Sequence, residues 1–136
     1  MTIQNFFSTK SVSGSLASLG LLLLRVSISA MMLTHGMTKL SNFSALSQHF
    51  NPIGIGGPLS LSLVIFAEVF CSIAVLLGLF TRMAAIPLIV AMSVAVFTFA
   101  GQPFSVKELA LLYLTVYTVI LMVGPGRYSI DRLIWK

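Results

Sequence analysis

Leu21-Leu22-Leu23-Leu24-Arg25-Val26-Ser27-Ile28-Ser29-Ala30 sets a guanidinium near the middle of an apolar stretch that runs from about Leu16 to Gly36. At about 1.5 Å per residue, that stretch is long enough to cross the roughly 30 Å hydrocarbon core of a bilayer. Charge is expensive there, so Arg25 is expected to face the protein interior or a wet cavity. A second apolar stretch, about Leu59 to Phe80, carries Glu68 and Cys71 and completes a pair of opposite charges. The third runs from about Met83 to Ala100 with Pro87 expected in its first turn, and the fourth from about Val106 to Val123. Gly124-Pro125-Gly126 stops the last one, because glycine frees the backbone and proline removes a donor. The apolar runs are continuous rather than alternating with period two, which predicts an all-α integral membrane bundle of four transmembrane helices and not a β-barrel.

Composition agrees. The chain has 136 residues, 57% of them hydrophobic and only 8% charged, with a mean hydropathy of +1.03. Four spans and their loops consume that length, so residues 1–136 are expected to form a single membrane domain. The residues ahead of the first span are polar and Ser-rich and no small-residue cleavage site follows it, so it reads as a retained helix rather than a signal peptide. Lys10, Arg82, Arg127, Arg132 and Lys136 fall on the side of the termini, against Lys39 and Lys107 on the other, which orients both termini to the cytoplasm. The net charge of +5 is thereby assigned to topology and anionic-lipid contact. No soluble basic face exists to bind nucleic acid.

The long connection, about 39–58, is expected outside the cytoplasm. Phe43, Leu46 and Phe50 have helical spacing, and Ser41 or Asn42 is available as a cap, so a short helix resting on the membrane is expected in preference to a lid. Residues 51–58 are a turn-rich return. Tyr128, Arg132, Trp135 and Lys136 have the character of interfacial anchors.

Counting from the ends of their helices places Arg25 and Glu68 within roughly 5 Å of the same depth on antiparallel neighbours, where they can meet. Each alone costs about 2.5–3.5 kcal/mol at a helix centre. Such a pair either fixes helix register or also lines a ligand or proton site. At the outer end, His35 and Lys39 share a face of the first helix and Glu108 begins the fourth, so these three are expected to form a polar mouth. His35 can exchange a proton near neutral pH but has no companion ligand nearby in sequence, and His49 does not change that, so no metal site is expected. Cys71 is the single cysteine, which excludes an intramolecular disulfide or dithiol cycle and leaves a packing role. Tyr113 and Tyr117 share a face of the fourth helix, for aromatic packing or for hydrogen bonding to a polar head group.

Leu23-Leu24-Arg25, His35-Gly36 with Lys39 three residues on, Glu68, Leu77-Gly78-Leu79-Phe80-Thr81-Arg82, and Gly124-Pro125-Gly126-Arg127-Tyr128-Ser129-Ile130-Asp131 occur in the order and spacing of the DoxX-like small membrane proteins. The chain resembles that family over nearly its whole length. The resemblance implies a four-helix bundle in the cytoplasmic membrane of a bacterium or archaeon, with Arg25, His35, Lys39, Glu68 and Arg82 at recurrent polar positions that carry no assigned catalytic role. Some members are membrane subunits of quinone-linked oxidoreductases and others associate with oxidative-stress complexes. Relatives that handle disulfides carry paired cysteines, from which this chain departs. The expectation is therefore an accessory or quinone-interacting subunit of a membrane redox system, with the lipid bilayer and a redox protein as partners and homo-oligomerisation left open. A small-anion or weak-acid transporter, with Arg25 binding charge and Glu68 relaying a proton, and a non-catalytic lipid-binding or assembly protein are the alternatives.

Overall fold

The computed structural model describes residues 14–48, 54 and 56–134. His49, Phe50, residues 51–53, Ile55, Lys10, Trp135 and Lys136 lie outside the described residues. The elements are α1 (Ser15–Ser41), α2 (Phe43–Leu46), α3 (Gly57–Leu77, with a π turn at Phe66–Cys71), α4 (Thr81–Thr98), α5 (Phe104–Val123) and α6 (Ile130–Ile134). Among the described residues, α1, α3, α4 and α5 are long and apolar enough to cross a membrane.

The chain runs up and down. α1 lies along α3, α3 along α4, and α4 along α5, with α1–α3 and α4–α5 the two most extensive pairs. Lipid gives helices no hydrophobic reason to associate, so close van der Waals packing must do it, and small side chains let backbones approach. Ala67, Ala84 and Ala85 serve that purpose in a core completed by Ile28, Met32, Val75, Leu88, Tyr117 and Ile120. Cys71 packs in the same core. Large apolar side chains such as Leu23, Phe70 and Phe97 point outward, as expected of helices solvated by lipid.

Two local expectations are corrected. α4 begins at Thr81, so Pro87 falls inside the helix rather than in its first turn, where it removes an intrahelical hydrogen bond. α2 is a single turn in which Asn42 caps nothing with its side chain: its Nδ2 instead donates back to the Thr38 carbonyl at 2.9 Å. Phe43 packs against the Leu61, Ile65 and Val69 cluster, which ties α2 to the bundle.

The register of α1 against α3 decides everything polar. Gly36 sits over the π turn, where an added Cβ would meet Val69 Cγ2 at 2.7 Å and the Glu68 backbone carbon at 3.0 Å. Arg25 lies eleven residues earlier, about 16 Å down the axis, and its guanidinium reaches the Leu76 carbonyl at the far end of α3. α1 therefore projects some ten residues past the end of α3. Aligning helix ends would have hidden this offset.

Candidate functional site

Arg25 and Glu68 do not meet. Arg25 is buried at the end of the bundle that carries the loop after α5, where Nη1 donates to the Pro125 carbonyl at 2.7 Å and Nη2 to the Tyr128 carbonyl at 2.9 Å and the Leu76 carbonyl at 3.4 Å. Backbone oxygens freed by the end of α3 and by the Gly124-Pro125-Gly126 turn thus solvate the guanidinium in place of a carboxylate. Arg82 is buried at the same end, donating to the Met122 and Val123 carbonyls at 3.4 and 3.3 Å beneath Gly124.

Asp131 completes this lower cluster. Its carboxylate accepts the Phe80 and Thr81 amides at 2.7 and 2.9 Å, capping α4 from fifty residues away, while its own amide donates to the Gly78 carbonyl at 2.8 Å. A carboxylate at a helix N-terminus satisfies free N–H groups and meets the positive end of the dipole. Gly78 must be a glycine here, with φ +75° and a virtual Cβ 2.4 Å from Ser129 Cβ. In the sequence Asp131 stands out only as the last residue of the motif that begins at Gly124. Its scarcity was the available signal, because the chain has just three acidic residues.

The other end of the bundle holds a cavity. Lys39 Nζ donates to both oxygens of Glu68, at 2.6 and 2.8 Å. Glu68 is 1% exposed and Lys39 28%, so the carboxylate is fixed inside and the ammonium reaches it from the edge. The π turn and Gly36 create this geometry: the extra backbone residue re-aims Glu68, and the missing Cβ lets α1 close over it. Both charges line a cavity of about 500 Å³ between α1, α3, α4 and α5, whose remaining wall is mostly Met32, Val64, Met92, Ala95, Leu109 and Ala110. His35 and Tyr113 join the wall and touch edge-on, with ring centroids 5.7 Å apart and planes at 86°. One turn deeper, the hydroxyls of Ser29 and Tyr117 lie 3.4 Å apart.

His35, Lys39 and Glu68 are therefore brought together, and Tyr113 with them. Arg25 and Arg82 are not part of this group. Glu108 is exposed near the start of α5 and lies outside the cavity wall, so the expected mouth of His35, Lys39 and Glu108 has Glu68 in the place of Glu108. Chemically the cavity offers ammonium, imidazole and phenol donors at one end and an apolar volume of a size suited to a small organic molecule.

Four spanning helices around an ion-paired, mostly apolar cavity define a small multi-pass protein of the cytoplasmic membrane. The chain belongs to the DoxX family, whose model, described as DoxX, matches residues 20–101. It is also similar to the inner membrane protein YqjF of Escherichia coli (strain K12), with 28% identity over 127 residues that cover 89% of this chain and 96% of the relative. No solved structure gives a significant match.

Proposed function

We propose that the protein is an accessory, quinone-interacting subunit of a membrane redox system, and that the cavity beside Lys39 and Glu68 receives the quinone head group. The observation that carries this reading is the placement of an ion pair on the wall of an otherwise apolar chamber inside a membrane bundle. A pair needed only for register could be packed away completely. Here it borders a space of about 500 Å³, large enough for a ring flanked by oxygens.

In this reading the Lys39 ammonium, the His35 imidazole and the Tyr113 hydroxyl donate to the head-group oxygens, and the methionine and alanine wall takes the ring. Reducing a quinone consumes protons as well as electrons, and Glu68 with His35 supplies a route for the protons. The electrons come from a partner protein or its cofactor. The whole chain acts as one membrane domain, and the positive-inside bias places both termini in the cytoplasm, with the cavity in the outer half of the membrane. The transporter alternative asks Arg25 and Glu68 to share a chamber, whereas Arg25 is committed to carbonyls at the opposite end.

The test is purification in a mild detergent from native membranes, solvent extraction and mass spectrometry of the wild type, Lys39→Met and Glu68→Gln, each checked for folding by thermal unfolding. A quinone near stoichiometric in the wild type and lost from both folded variants supports the reading. Ordinary phospholipid alone, unchanged in the variants, removes it.

A further inference from the structure

One side of the cavity is built differently from the others. α1 packs along α3 and α4 packs along α5, but the bundle's first and last spanning helices meet sparsely. Their contacts include the Ser29 and Tyr117 hydroxyls at 3.4 Å and, one turn further out, the edge-on pair of His35 and Tyr113. Beyond that pair the cavity occupies the space between the helices, bordered by Lys39 of α1 and by Leu109 and Val106 of α5. His35, Leu109 and Val106 are exposed even though they line it, as are Thr98 and Phe99 at the end of α4, while Met32, Glu68 and Tyr113 are buried. An up-and-down bundle closes its first helix on its last. Among the described residues of this one, the closure stops short of the charges.

We infer that the seam between α1 and α5, above the sill formed by His35 and Tyr113, is a lateral entrance for a bilayer-resident amphiphile. The head group turns inward to Lys39 and Glu68 while the apolar tail stays in the seam and continues into the surrounding lipid. The inference rests on the cavity being a ligand site, and it narrows the ligand class to tailed molecules that arrive from the membrane. A path through water would expose the tail, at a cost that grows with every methylene, and a path through the seam avoids that cost. The bordering side chains fit: Leu109 and Val106 are apolar on the α5 side, His35 and Lys39 stand on the α1 side, and the Glu68 carboxylate lies inside.

The test uses Cys71→Ala and Trp135→Phe to remove the only cysteine and the only tryptophan, with Ala110→Trp as a reporter inside the cavity. His35→Cys and Leu109→Cys then place thiols on opposite sides of the entrance. In vesicles of phosphatidylcholine with brominated acyl chains, the reporter is expected to be quenched. A bis-methanethiosulfonate bridge across the thiols should reduce that quenching at least threefold, with recovery on reduction. Equal quenching before and after bridging overturns the inference, as does an unquenched reporter in the unbridged protein. If the cysteine pair does not fold, the parent carrying only the reporter decides the matter: quenching by brominated lipid supports the entrance and its absence overturns it. Reporter quenching that persists although neither a tailed nor a tail-less quinone analogue binds the wild type removes the quinone reading and leaves the entrance standing.

Discussion

Lys39 and Glu68 form the pair whose removal should be felt most, because one partner is fully enclosed. Lys39→Met leaves the Glu68 carboxylate in an apolar wall with no cation, and breaking such a pair costs about 3 kcal/mol. Glu68→Gln should cost less, since the partially exposed Lys39 can turn outward to the interface. Lys39→Met combined with Glu68→Gln should recover much of the loss from Lys39→Met alone, as read by thermal unfolding of the purified protein. If the double variant is no more stable than Lys39→Met, the burial of an unpaired carboxylate is not what destabilises that variant. The sequence singled out both residues, together with His35, but joined Glu68 to Arg25 because opposite signs on neighbouring helices suggested a pair. Backbone carbonyls were the competitor it left out. A turn such as Gly124-Pro125-Gly126 exposes acceptors that no reading of side-chain charge reveals.

At the scale of elements, the join between α1 and α3 depends on Gly36. Gly36→Ala puts a methyl 2.7 Å from Val69 Cγ2 and 3.0 Å from backbone and Cβ atoms of Glu68, so either the helices separate or the π turn shifts, at a cost of about 1–3 kcal/mol. Gly20→Ala in the same helix meets nothing within 4 Å and should stabilise by about 0.5–1 kcal/mol through helix propensity. Thermal unfolding of the two variants compares a steric effect with a propensity effect inside one helix. Equal shifts of the same sign would show that close approach at Gly36 does not matter. The four long helices were legible because continuous apolar runs leave few other structures for a chain in lipid. The π turn was not, since one extra backbone residue changes neither hydropathy nor composition. One residue shifts depth by only about 1.5 Å, so it was the projection of α1 beyond α3 that defeated the depth count pairing Arg25 with Glu68.

The whole molecule is held at its lower end by a residue that belongs to none of the long helices. Asp131 ties α6 to the α3–α4 turn through the Phe80 and Thr81 amides, and Phe80 adopts a positive φ of 46° there, a conformation that costs a bulky residue about 1–2 kcal/mol. Asp131→Ala should destabilise by about 3 kcal/mol, because two amides lose a charged acceptor, and Asp131→Asn should retain roughly half of that stabilisation through its remaining carbonyl. Thermal unfolding with proteolysis of the segment after α5 checks both effects. An Asp131→Ala protein as stable and protease-resistant as the wild type would mean that the capping contacts contribute nothing net. The two ends of the bundle thus divide their tasks, with buried arginines and Asp131 closing one and a cavity occupying the other.

Two of the three carbonyls that receive Arg25, those with the shortest bonds, come from Pro125 and Tyr128, about a hundred residues later in the chain. At the usual synthesis rate of about 5–20 residues per second, the ribosome delivers them several seconds after α1 has emerged. During that interval α1 holds a guanidinium without its two shortest hydrogen bonds, so a helix made early is satisfied late. Biogenesis of this protein therefore contains a waiting period, during which α1 must remain near the interface or beside the insertion machinery until the segment after α5 has been made.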